Sequence, residues 1–397
     1  MLLRARELHE RIRALRHEIH QHPELAYQEH RTAALVADTL RSLGLQVETG
    51  VARTGVIGTL DNGEGPTVAL RADMDALPIQ EQNDVPYASR VPGVMHACGH
   101  DAHTAMLLGA AMLLADNPPP GRVRFLFQPS EEGPDEEGKS GGKRFVEAGV
   151  MEGVDAVFGL HVSTEYPVGA IAVRPGPLMA AADLFEVEIM GKGCHGAYPH
   201  KGTDTILLAA HVILALQQIV SRRVNPVESS VVTVGAIEAG RKHNTIPEKA
   251  LLKGTTRAFD PDVRQQILDE LERACSVARA LGGDFRLTIV EGFPPTVNDP
   301  EMTTFVQKVA SDLLGPEKVL EAEPRMGAED FSFLAREAPG CYWLLGVRTP
   351  GQPERRGHSP TFDINENALP IGTALLAEVA WRYLRQRTSP APSGASR

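Results

Sequence analysis

Asp183-Leu-Phe-Glu-Val-Glu-Ile-Met190 alternates apolar and polar side chains and reads as a half-buried strand. It opens a run of regular elements. A helix over residues 203–224 follows, then strands over 230–237 and 250–259, a helix over 261–280 and a strand over 284–291. Asp260 is placed to cap the second helix, with Pro261 at its first position. The order β-α-β-β-α-β is the split ferredoxin-like pattern, and its roughly 110 residues predict a self-contained α+β domain.

Outward from this stretch the pattern changes. Residues 55–60, 67–70, 122–128 and 156–162 are short apolar strand-like runs, with helices expected over 32–43 and 104–115. Leu2, Leu8, Ile12, Leu15 and Ile19 space an opening helix that His22-Pro23 ends. After Phe293-Pro-Pro295 come a helix over 303–314, a strand over 342–347 and a helix over 367–385. The alternation predicts an α/β catalytic domain whose central sheet is mostly parallel and flanked by helices. Its two parts, 1–181 and 293–386, bracket an insert at 182–292, and a polar tail over 387–397 is expected to be disordered.

The 397 residues carry 40 Lys+Arg against 51 Asp+Glu, a net charge of −11. Binding a phosphate backbone needs the opposite balance, so no nucleic-acid partner is expected. The longest apolar stretch, residues 206–220, is broken by Gln217 and Gln218. It reads as too short and too polar to span a bilayer, so no membrane partner is expected. The Arg-rich start lacks the apolar core of a secretory signal. Cys98, Cys194, Cys275 and Cys341 are too sparse for a disulfide framework, which makes the cytoplasm the expected location.

Two motifs are misleading. Gly133–Ser140 satisfies the phosphate-loop pattern, but Glu131, Glu132, Asp135, Glu136 and Glu137 crowd its one lysine, Lys139, and would repel a triphosphate. Gly191-Lys-Gly-Cys-His-Gly196 satisfies the dinucleotide fingerprint, but Pro199 interrupts and no acid occurs between Thr205 and Val227.

Ligand-type side chains gather where the core strands end. Asp73 and Asp75 follow one strand, and His96-Ala-Cys-Gly-His-Asp-Ala-His103 precedes a helix. Glu131-Glu132 follows the next strand and His161 lies at the end of another. The crevice beyond the carboxyl ends of strands is the usual site in open α/β sheets. Thiolate, imidazole and carboxylate together suit divalent metals, and two metals need ligands from several segments. Neighbouring glutamates project differently, so one can bind metal while the other moves a proton. Each residue also has a plain alternative: Cys98 as a small buried hydrophobe, Glu131-Glu132 as solvated acids, and the early run His17, His20, His22 and His30 as helix-end structure.

At these residues the chain resembles the aminoacylase/carboxypeptidase family of dinuclear metallopeptidases, in its amidohydrolase branch with hippurate hydrolases and auxin-conjugate hydrolases. The matching stretches are His20-Gln-His-Pro-Glu24, Leu70-Arg-Ala-Asp-Met-Asp-Ala-Leu-Pro78, His96–His103, Gln128-Pro-Ser-Glu-Glu-Gly133 and Gly159-Leu-His161. They continue with Gly191-Lys-Gly-Cys-His195, Asn244-Thr-Ile-Pro247, Gly327-Ala-Glu-Asp-Phe331 and His358-Ser-Pro-Thr-Phe-Asp363. The resemblance implies two divalent metal ions held by Cys98, His100, Glu132, His161 and His358, with Glu131 as general base. It implies that His195, from the inserted domain, stabilises the oxyanion, often across to a partner subunit. It further implies that Asn244 and Arg257 meet the substrate carboxylate, Arg257 through a planar fork or alternatively in a salt bridge of the lid. The insert matches a lid and dimerisation domain, so a homodimer or homotetramer is expected.

Two departures stand out. Asp73-Met74-Asp75 replaces the His-x-Asp of other branches, so Asp75 is expected to act by orienting a ligand, with no role fixed for Asp73. Cys98 is a soft ligand, which leaves Mn, Zn, Co and Ni open. The expected activity is metal-dependent hydrolysis of N-acyl-L-amino acids or short peptides with a free carboxylate. The alternatives are a true carboxypeptidase that prefers peptides and a catalytically silent metal-binding protein.

Overall fold

The computed structural model describes residues 1–388. From Ser389 on, the tail expected to be disordered lies outside the described residues, whereas Arg387 and Thr388 belong to the last helix, Leu369–Thr388. The chain forms two compact units. Met1–Leu178, Val297–Glu323 and the chain from Asp330 onward make the first; Met179–Thr296 and Pro324–Glu329 make the second. The short return of Pro324–Glu329 to the second unit has no counterpart in the sequence reading.

The first unit is built on a sheet with the strand order Gln46–Val51, Gly55–Asn62, Gly121–Gln128, Thr67–Asp73, Ala156–Pro167, Gly340–Arg348, Ile171–Val173, Val319–Glu321. The four central strands, from Gly121–Gln128 to Gly340–Arg348, run parallel. Thr67–Asp73 is buried at every position, as a parallel strand covered on both faces must be. Helices His100–Asp116 and Leu369–Thr388 pack against it and against each other. The helix expected at 104 begins four residues earlier, at His100, and the strand expected to end at Leu70 continues to Asp73. Both shifts matter, because they carry ligand-type residues out of loops and onto rigid elements.

The second unit has a four-stranded antiparallel sheet, ordered Ser230–Ala239, Lys249–Ala258, Ala181–Met190, Asp284–Glu291. In sequence terms this is 2-3-1-4, the ferredoxin-like arrangement. Asp204 and Asp260 cap helices Thr205–Gln218 and Pro261–Cys275 by accepting from backbone N–H groups of the first turn. The helical stretch Thr205–Arg223 is long and apolar enough by composition to cross a bilayer, which corrects the reading of residues 206–220 as too short. Its Leu208, Ala209, Val212, Leu216 and Ile219 are nonetheless buried in this unit's own core.

Candidate metal centre

Gly99 decides how the ligand segment is aimed. Its φ is +93°, and a Cβ there would stand 2.4 Å from the Val162 side chain. Only glycine fits such a position, and it turns the chain between Cys98 and the helix that starts at His100. His161 stands on the strand Ala156–Pro167. His358 is a non-glycine residue at φ +59°, and its N–H donates to Ala97 O at 2.8 Å. Glu131 and Glu132 follow the end of Gly121–Gln128.

Side chains from these four segments converge. Ligand atoms of Cys98, His100 and His161 lie within 4.8 Å of one another, as do those of Cys98, Glu132 and His358, and those of His100, Glu131 and Glu132. Cys98 Sγ is 3.2 Å from His161 Nε2, and Glu132 Oε1 is 3.0 Å from His358 Nε2. The backbone sets the imidazole tautomers. His161 Nδ1 donates to Val162 O at 2.6 Å and His100 Nδ1 to Asp75 O at 2.9 Å, which leaves each Nε2 directed at the cluster. His100 Nε2 is buried with no hydrogen-bond partner.

The electrostatics suit a cation. Burial, then the Glu132 and Glu131 carboxylates, push the Cys98 thiol well above its usual range. A thiolate forms there only beside a compensating positive charge. Burial opposes charge on His100, but Asp73 and Asp75 outweigh it, so this position also favours positive charge. Two overlapping triads that share one sulfur, with an orphaned imidazole nitrogen among them, fit a pair of divalent ions.

Asp75 lies under the cluster. Its Oδ1 is 3.2 Å from His100 Nδ1, and its Oδ2 accepts Glu132 N–H at 2.9 Å. It therefore touches two of the five residues expected as ligands, His100 and Glu132. Asp73 ends its strand facing His103, whose Nδ1 stands 2.6 Å from Asp73 Oδ1 and whose Nε2 accepts Val162 N–H at 2.9 Å. Burial would raise the Asp73 carboxyl, but Arg71, His100 and His103 hold it well below its usual range. Arg71 also donates to Gln128 at 2.9 Å and to Asp330 at 2.7 Å. Three of the motif stretches thus meet through buried charges that sequence reading left without a role. Asp101 sits in the ligand run but faces Arg16 and His20, whereas the His103 ring lies against His161 and groups with Asp73 and His100.

In the second unit, strand Cys194–His195 pairs with Thr245–Ile246, and Gly196 N–H donates to Asn244 O at 2.8 Å. His195 and Asn244 are therefore neighbours. His195 Nδ1 accepts Ala197 N–H at 3.1 Å, so the neutral ring carries its proton on an exposed Nε2. Gly191 is packed against its own unit: a Cβ there would stand 2.6 Å from Thr203 O. Arg257 makes no salt bridge among the described residues. Its Nε donates to Met326 O at 3.1 Å and its Nη1 to Thr256 O at 2.8 Å and to the Thr255 hydroxyl. Asp183 is instead paired with Arg264, at 2.6 Å. Lys139 of the phosphate-loop look-alike is occupied by Glu137 and Glu147, at 3.2 and 2.9 Å.

The model of peptidase family M20/M25/M40 matches residues 69–382. The chain belongs to this family. Its M20 relatives include thermostable carboxypeptidase 2 of Saccharolobus solfataricus, 43% identical over 95% of this chain and 96% of that one. IAA-amino acid hydrolase ILR1-like 4 of Arabidopsis thaliana is 43% identical over 93% and 85%. Among solved structures, the YXEP protein of Bacillus subtilis, a dinuclear metal-binding peptidase of the M20 family, superposes with a TM-score of 0.83 at 35% identity, covering 96% and 99%. The protein is thus an M20 hydrolase of amide bonds.

Proposed function

We propose that this M20 enzyme releases amino acids from N-acyl-L-amino acids, or from short peptides with a free carboxylate. The observation that supports it most is the Glu131-Glu132 pair, whose carboxylates lie with His100 inside one 4.8 Å group. Cys98, His100, Glu132, His161 and His358 would hold two divalent ions, and Mn, Zn, Co and Ni all suit the mixed thiolate, imidazole and carboxylate set. When bound, the ions supply Lewis-acid activation of a water and of the amide carbonyl. Glu131 takes the proton from the water and delivers it to the leaving amine. The His195 Nε2–H donates to the oxyanion. Asn244 and the Nη2 of Arg257 meet the substrate carboxylate, Nε and Nη1 of Arg257 being held by backbone carbonyls. The second unit would act as lid and dimerisation domain: Leu207 and Leu214 of its helix Thr205–Gln218 are 57% and 69% exposed, a face suited to a second copy in a homodimer or homotetramer. All four cysteines are free thiols, which fits a reducing, cytoplasmic setting.

A preference for peptides is the second reading, favoured by the name of the Saccharolobus relative. One assay separates the two. Chelated and metal-restored enzyme is given N-benzoyl, N-acetyl and indole-acyl amino acids and dipeptides, each with free and amidated carboxylates. Metal-dependent release limited to free acids supports the proposal, and the preferred acyl group names the substrate. Glu131→Gln should keep its metal and lose turnover; retained turnover would refute the base, and no turnover by metallated native enzyme would favour a silent binder.

A further inference from the structure

Glu29 lies far from the cluster in sequence and is fully buried. Among the described residues its carboxylate has no cation as a hydrogen-bond partner. Oε1 accepts Tyr27 N–H at 3.0 Å and Ser130 N–H at 2.8 Å, and Oε2 accepts the Thr54 hydroxyl. Burial, with Asp75 as the next largest influence, pushes the Glu29 carboxyl up to about 7. A buried carboxylate without a cation is costly, and such groups persist where they hold something in place.

What Glu29 holds is strained backbone. Among the described residues, the non-glycine residues with positive φ are Tyr27 at +58°, Ala52 at +49°, Arg53 at +80°, Ser130 at +52° and His358 at +59°. Four of these five lie in the segments that converge on Glu29: Tyr27 and Ser130 donate to it directly, and Ala52-Arg53 precede its donor Thr54. The left-handed conformation is unfavourable for a residue with a Cβ, so such turns rely on contacts from outside to hold them. Ser130 is the residue from which Glu131 and Glu132 project.

We propose that Glu29 is a positioning residue for the reaction: its carboxylate clamps Ser130 in the left-handed conformation that aims Glu131 and Glu132 at the metal cluster. This rests on the roles given above to Glu131 and Glu132. It does not depend on turnover alone, because cation affinity reports Glu132 independently of Glu131.

The test is a set of four variants of the full chain, read by Mn or Zn titration, by kcat and KM at saturating metal, and by thermal unfolding. Glu29→Ala removes the acceptor and should weaken cation affinity roughly tenfold, the lower end of what loss of an outer partner costs. It should lower kcat with KM nearly unchanged. Glu29→Gln should behave close to native, because one amide oxygen can accept both N–H groups while its NH₂ donates to Thr54. Ser130→Gly in the Glu29→Ala background should recover at least about threefold in affinity, since glycine adopts φ +52° unaided. Native-like affinity and kcat in Glu29→Ala would overturn the proposal. So would a Glu29→Gln variant as impaired as Glu29→Ala, or no recovery from Ser130→Gly. If Glu29→Ala does not fold, Glu29→Asp, which keeps the charge and shortens the reach, replaces it under the same recovery criterion. An active Glu131→Gln enzyme would remove the base and leave the coupling between Glu29 and Ser130 to stand or fall on affinity.

Discussion

Cys98 Sγ stands 3.2 Å from His161 Nε2, and the same sulfur belongs to the group formed with Glu132 and His358. The Cys98 thiol thus has a place in both of these candidate cation groups, and His100 also recurs, once with Cys98 and His161 and once with Glu131 and Glu132. Cys98→Ala should strip both ions together. The loss in affinity should exceed the roughly 10–100-fold expected when only an outer partner is removed. Metal content after dialysis, measured by elemental analysis, should fall toward zero per chain; retention of one tightly held ion would show that the sulfur is not shared.

Asp75 acts one step back. It fixes the ring of His100 and the backbone N–H of Glu132, at 3.2 and 2.9 Å. Asp75→Asn keeps the shape, but its single oxygen can serve only one of the two and its NH₂ then opposes the other donor. Cation affinity should drop roughly 10–100-fold with the fold intact, as measured by metal titration beside a thermal melt.

These two residues show how far the sequence carries. The four strands of the second unit's main sheet and the two long helices are visible in it because their periods are local: Ala181–Met190 alternates buried and open positions along its length. The five ligand positions named from the resemblance are brought together by the structure. Hidden were relations between distant segments. Arg16 pairs with Asp101, 85 residues away, and Glu29 with Ser130, 101 residues away. No periodicity or spacing encodes such pairs. The three-residue strands Ile171–Val173 and Val319–Glu321 escaped for another reason, since they are too short to show a period and form by adding to the edge of the sheet beside Gly340–Arg348.

The Arg16 guanidinium is fully buried and reaches Asp101 at 2.9 Å, Asp363 at 3.0 Å and Glu366 at 2.9 Å. It ties the first turn of the His100 helix to the loop that follows His358. Arg16→Met would leave these carboxylates without their shared cation, a loss of about 3–5 kcal/mol. Urea unfolding should show that drop, and Arg16→Met combined with Asp101→Asn should recover part of it.

His20 shares Asp101 and makes stability depend on pH. Burial works against its charge, but Asp101 at 2.8 Å and Glu81 at 3.3 Å outweigh it and raise its pKa to about 9. The folded value lies above the unfolded one of about 6.5, so the stabilisation is complete below pH 6.5 and disappears as pH rises through 9. The shift corresponds to something on the order of 3 kcal/mol. Melting temperatures should therefore fall between about pH 7 and 10 in the native protein, and His20→Asn should flatten that slope. Parallel slopes in the two proteins would exclude the pair.

His195 offers the sharpest kinetic test. Ala197 N–H occupies its Nδ1, so the ring presents Nε2–H as a neutral donor without needing to be protonated. A donor aimed at the oxyanion is used in the transition state and hardly at all in the ground state. His195→Ala should then lower kcat roughly 10²–10³-fold while KM moves little. If the substitution instead raises KM and leaves kcat alone, His195 binds substrate uniformly and belongs with Asn244 and Arg257.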